Sequence, residues 1–123
     1  MRGLRTVKDS YNLNRLSQAA GIAALTDQET VRRNVARIAR TRARLTEALR
    51  AMGWVVPDSH ANFVLARKPG IDQLPTARAL AARDILVRHF AKHGLGDALR
   101  ITVGTDVEID ALLAALRGDL AHA

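Results

Sequence analysis

A chain of 123 residues, 48% of them hydrophobic, is long and apolar enough for one domain or a large piece of one, which argues against disorder. Aromatics make up 3%, so the core has to be aliphatic, and the lack of cysteine excludes disulfides and Cys-ligated zinc. The net charge of +7 admits an anionic partner, but stacking aromatics are scarce and no nucleic-acid motif is present, so nucleic acid is not expected.

Arginine-rich, alanine-rich composition also follows from the codon usage of a GC-rich genome. No apolar run approaches the ~20 residues that span a bilayer, so no membrane partner is expected. The start, "MRGLRTVKDS", has no apolar core of a signal peptide. The expected location is cytoplasmic.

In chain order, "NLNRLSQAAGIAALTD" predicts a first helix to about Leu25, capped by Asn12 or Asn14, whose short side chains can accept from the free N–H groups of the first turn. Thr26 or Asp27 then caps a second helix from about Gln28 to Met52, with Glu29 in its first turn favoured by the helix dipole. Val31, Val35, Ile38, Leu45, Leu49 and Met52 form its apolar stripe. Arg33, Arg37, Arg40 and Arg44 lie opposite, whereas Arg42 falls inside the stripe and needs a carboxylate or backbone partner. Gly53 follows as a C′ residue. A helix of about 25 residues exceeds what one globule of this size requires and suits a rod spanning two domains.

After Gly53 the period becomes two. "WVV" predicts a short strand closed by Pro57, and "ANFVLAR" a second, with Asn62, Val64 and Ala66 on one face and Phe63 and Leu65 on the other. Asp72 is expected to cap a third helix through Arg83. "ILVRHF" and "LRITVG" predict two more strands, joined by the loop "AKHGLGDA". Thr105 caps a last helix, with Glu108 completing a capping box and Ile109, Leu112, Leu113 and Leu116 facing inward. Short strands with hairpin-length links give an α+β fold: a largely antiparallel sheet packed against helices and preceded by a long connecting helix.

Nucleophilic catalysis finds no support. "DSH" at Asp58, Ser59 and His60 holds triad letters, but consecutive residues cannot converge as a triad does. His89 and His93 are four apart on a strand and a loop, not a helix, so they read as histidines of a solvated edge and no metal site is expected. The basic face of the second helix is either solvated or an anion- or nucleic-acid-binding surface. Arg88 and Arg100 sit in strands with apolar neighbours. They are either exposed edge residues or a pair that captures a carboxylate or phosphate, to which guanidinium geometry is suited.

"KDSYNLNRLSQAA", the long helix ending in "LRAMGW", then "SHANFVLAR", "ILVRHF" and "LRITVGTDVEIDALLAAL" resemble the C-terminal part of the histidinol-phosphate aminotransferase family, of pyridoxal-phosphate fold type I. The similarity runs from about Val7 to Arg117. It implies that Arg100 binds the substrate's acidic group, that Arg88 lines the same pocket, and that Asn62 lies near it. It further implies that Tyr11, Asn12 and Asn14 lie at a dimer interface near the neighbouring site.

The resemblance divides the chain into residues 1–27, belonging to the interface with a large domain, and 28–123, the small domain with its connecting helix. The implied activity moves an amino group between glutamate or 2-oxoglutarate and a phosphate- or carboxylate-bearing substrate, in a homo-oligomer. The family's Schiff-base lysine, its ring-stacking aromatic and the aspartate of the pyridine nitrogen belong to that large domain, and Lys8, Lys68 and Lys92 share none of the lysine's context. No catalytic or cofactor-binding residue is therefore expected here, no cofactor is expected for the chain alone, and the chain is expected to be inactive by itself. The alternative is a stand-alone anion- or nucleic-acid-binding module.

Overall fold

The computed structural model describes residues 11–92 and 94–119. Asn14 accepts from the Ser17 N–H at 2.8 Å and starts α1 (Arg15–Thr26). Asp27 accepts from the Thr30 N–H at 3.0 Å at the start of α2 (Gln28–Ala51). That bond holds the Asp27 carboxyl below the usual carboxylate range. Gly53, at φ +76°, ends α2 in a Schellman motif: its N–H donates to Arg50 O and that of Trp54 to Leu49 O. After α2 come β1 (Phe63–Arg67), α3 (Leu74–Ala81), β2 (Arg88–His89), β3 (Ala98–Thr102) and α4 (Asp106–Asp119). The fold class is α+β, as expected.

Packing divides the chain between residues 34 and 35, inside α2. In the first unit no residue of α1 is buried, and Leu16, Ile22 and Leu25 are exposed. In the second unit the strands form one antiparallel sheet in the order β1-β3-β2. Val64 and Ala66 of β1 and Leu99 and Ile101 of β3 are buried in one core with Leu45 and Leu49 of α2, Leu80 of α3, and Ile109, Leu112, Leu113 and Leu116 of α4. Alternation leaves Phe63, Leu65, Arg88, Arg100 and Thr102 on the opposite, more open face.

Three expected elements are corrected. "WVV" is not a strand: Val55 forms a single bridge with Arg67, and Pro57 brings no N–H to continue it. "ILVRHF" pairs only at Arg88–His89. The third helix spans Leu74–Ala81, not 72–83. Its N-cap is Gln73, the Asp72 side chain accepts from the Leu74 N–H, and Asp84 leaves the helix at φ +58°. The capping box of α4 stands: the Thr105 N–H donates to Glu108 Oε2 at 2.6 Å, and the Glu108 N–H to Thr105 Oγ1 at 3.4 Å. Among the described residues no helix is long and apolar enough to cross a membrane.

Candidate functional site

Arg88 and Arg100 are cross-strand partners. Directly opposed residues of an antiparallel pair point to the same face with Cβ atoms about 4.5–5.5 Å apart, and like charges there destabilise the sheet. The guanidinium of Arg100 lies over the Phe63 ring at 5.0 Å, and that of Arg88 over Phe90 at 5.3 Å. Such stacking favours a cation on a ring face and holds each side chain to the sheet. Among the described residues neither arginine forms a salt bridge, and Arg100 Nε is buried without a hydrogen-bond partner. An orphaned buried donor costs free energy unless something accepts from it. Two arginines at directly opposed positions of one face, neither in a salt bridge among the described residues and one with an unused donor, are suited to receiving an acidic group.

The neighbouring charge on this face is neutralised. Arg67 makes a bidentate pair with Asp97, at 3.1 and 2.8 Å. The hydrogen bond from Arg67 holds the Asp97 carboxyl below the usual carboxylate range, and Asp97 in turn raises the Arg67 guanidinium.

Asn62 precedes β1 and is exposed; its carbonyl accepts from the Val103 N–H at 2.8 Å. Tyr11, Asn12 and Asn14 belong to the first unit, where Tyr11 is 82% exposed and Asn14 caps α1. The sheet thus sets Arg88 opposite Arg100, while Asn62 stands in the bend that precedes β1.

Arg42 finds the backbone partner it requires: it donates to Ala61 O at 2.7 Å. It lines a cleft of about 470 Å³ with Glu47, Arg50, Ser59 and His60. Within "DSH", Asp58 pairs with Arg50, and the Ser59 hydroxyl donates to Phe63 O at 2.6 Å. Two of the three "DSH" side chains are thus engaged in structural contacts with α2 and the start of β1. On the basic helix face Arg33 pairs with Glu29, and Arg44 with Asp106 and Asp110, which raises the Arg44 guanidinium chiefly through the Asp110 hydrogen bond.

His89 is not a residue of a solvated edge. Its side chain is 11% exposed, and its Nε2 lies 3.0 Å from Gly96 O. The signal for this lay in strand alternation, which puts His89 on the face of the buried Leu99. His93 and Lys8 lie outside the described residues. No group of three or more metal-ligating side chains occurs among the described residues.

The described lysines do not form a Schiff-base site. Lys68 donates to Met52 O at 3.0 Å and sits 5.4 Å over the Trp54 ring, while Lys92 is exposed after β2. These residues do not fit pyridoxal phosphate held as an aldimine.

The chain is 46% identical over 119 residues to histidinol-phosphate aminotransferase of Gluconacetobacter diazotrophicus, covering 94% of this chain and 33% of that protein. It is 47% identical over 121 residues to histidinol-phosphate aminotransferase 2 of Burkholderia lata, covering 96% and 34%. The chain thus spans about a third of the length of these relatives. The structure of histidinol-phosphate aminotransferase from Sinorhizobium meliloti, solved in complex with pyridoxal-5'-phosphate, superposes with a TM-score of 0.74 at 29% identity, over 94% of this chain and 32% of that one. The enzyme from Clostridium acetobutylicum shares the fold with a TM-score of 0.84 at 24% identity, over 99% and 38%. The family model of aminotransferase class I and II matches residues 1–116, and the chain belongs to that family.

Proposed function

We propose that this chain is the substrate-clamping part of a pyridoxal-phosphate-dependent aminotransferase similar to histidinol-phosphate aminotransferase. Arg88 and Arg100 hold the acidic group of the substrate: the carboxylate of glutamate or 2-oxoglutarate, or the phosphate of a phosphorylated amine. The observation that carries this is their direct cross-strand pairing on the open sheet face, with Arg100 Nε unused. Bound pyridoxal phosphate supplies the electron sink of transamination. The large domain holds it in this reading, because Lys68 is committed to Met52 and Trp54. The chain's own task is to bind and orient. Fixing the anion fixes the distance and angle at which the amino group meets the cofactor.

The same proposal puts residues 1–27 against the large domain and the neighbouring subunit of a homo-oligomer, with Tyr11, Asn12 and Asn14 near the neighbouring site. The exposure of Leu13, Leu16, Ile22 and Leu25 supports it. Asn62 lies near the pair in the same proposal. Residues 28–123 form the small domain.

Titration of the chain with inorganic phosphate, followed through the Arg88 and Arg100 guanidinium resonances, tests the clamp. Both should shift with one dissociation constant. Arg100→Ala should weaken binding about tenfold or more, the scale of one hydrogen bond to a charged group. Shifts scattered over Arg37, Arg40 and the pair alike would reject a defined site.

A further inference from the structure

β2 is two residues long and meets β3 at two positions, Arg88↔Arg100 and His89↔Leu99. So short a strand needs support beyond its ladder. The side chain of His89 supplies it. His89 lies on the covered face, opposite the fully buried Leu99. Its Nε2 is 3.0 Å from Gly96 O and 3.2 Å from Asp72 Oδ1. Both of these oxygens accept, so Nε2 carries a hydrogen and donates.

Each partner is itself anchored. Gly96 O also accepts from the Gln73 N–H at 2.8 Å, and Asp72 Oδ1 from the Leu74 N–H at 3.1 Å at the start of α3. One imidazole therefore ties β2 to the turn that returns into β3 and to the first turn of α3.

Successive side chains of a strand point to opposite faces, so a two-residue strand has one on each. A slip of one position would carry Arg88 to the covered face and His89 to the open one. We propose that His89 is the positioning residue of the arginine pair: a pin on the covered face that sets Arg88 opposite Arg100 on the open face. Its functional weight rests on the clamp reading above, but the pin does not.

The test uses the whole chain, with His89→Ala and His89→Gln; the Gln amide keeps an N–H donor where Nε2 stood. Hydrogen bonding alternates along β3. The Val103 N–H donates to Asn62 O beside β1, so the Ile101 amide also faces β1 and the Arg100 amide faces β2. In His89→Ala the Arg100 amide should exchange about tenfold faster and lose its cross-strand nuclear Overhauser contact with Arg88, while Ile101 changes by less than about twofold. His89→Gln should restore both signals.

Unchanged protection at Arg100 in His89→Ala would overturn the pin. Equal loosening of Arg100 and Ile101 would also overturn it, since His89 would then be a general support of the domain. Failure of His89→Gln to restore the contact would show that no hydrogen bond is involved and would reject the proposal. Inorganic phosphate separates the two readings. If it leaves Arg88 and Arg100 unmoved in the unmodified chain while His89→Ala still frees β2, the clamp fails and the pin stands.

Discussion

Arg100 and Ile101 are neighbours with opposite surroundings, and truncating each should show it. Ile101 is 2% exposed among core side chains, so Ile101→Ala should cost about 2–5 kcal/mol in a urea melt. Arg100 offers a ring contact and an orphaned donor, so Arg100→Ala should cost about 1 kcal/mol or less. A loss above about 3 kcal/mol, the scale of breaking a buried ion pair, would make Arg100 structural.

Asp97 carries a pH signature. Its carboxyl is held down by Arg67, so its contribution is present above the ordinary carboxylate range and is lost as pH falls through the lowered value. Unfolding followed from neutral pH downward should show Asp97→Asn less stable at neutrality and less sensitive to acid than the unmodified chain. Parallel curves would disprove the pairing.

The alternation of "LRITVG" made the facing of Arg100 readable in sequence. The neighbours of His89 were not: Gly96 O is a main-chain atom, which no residue type announces, and Asp72 stands seventeen positions away. Arg42 shows the same division. Its need for a partner followed from its place in the apolar stripe, but Ala61 O could not be named.

At the scale of elements, caps were the most legible features because their chemistry is local. Asn14, Gly53 and the Thr105–Glu108 box each act within a few residues. Thr105→Ala should cost about 0.5–2 kcal/mol by leaving the Glu108 N–H in the first turn of α4 without its acceptor. The Glu108 carboxyl lies below its usual range because the Thr105 N–H donates to it. Its support is therefore present above that range and is lost as pH falls through the lowered value, so the stability difference between the unmodified chain and Glu108→Gln should shrink in acid. A difference constant with pH would show that the box is not formed.

Gly104 completes this turn, since a Cβ there would come within 2.6 Å of Glu108 Oε2. Strand lengths were less legible. "WVV" keeps its alternation, with Trp54 and Val56 buried and Val55 53% exposed, yet it bridges only at Val55. Periodicity records which side of a segment seeks the core, whereas pairing depends on a neighbour's backbone, which leaves no trace in the segment itself.

For the whole molecule, the division inside α2 separates two levels of stability. A twelve-residue helix that buries nothing is marginal in water. Amide exchange should therefore be fast over Arg15–Thr26 and slowest over Leu99–Ile101. Equal protection at low concentration, in a strictly monomeric sample, would contradict this. The stripe of α2 was readable over its full length, but Val31 and Val35 are 42% and 61% exposed. Spacing shows which face prefers burial and not what covers it.

Mixing the chain with pyridoxal phosphate and reducing with borohydride should label no single lysine stoichiometrically. One unique adduct, together with turnover of glutamate, would overturn the assignment of the cofactor to the large domain.

The two-sided sheet has a further consequence, for how such a domain can be rewritten. Positions 64, 66, 99 and 101 share the core, while 63, 65, 88, 100 and 102 share the other face. A library randomised over the second set should return mostly folded protein, and one over the first set mostly insoluble protein. Ligand preference and foldability would then be written in alternate letters of the same strands. New selectivities could be selected on this scaffold without re-solving its core.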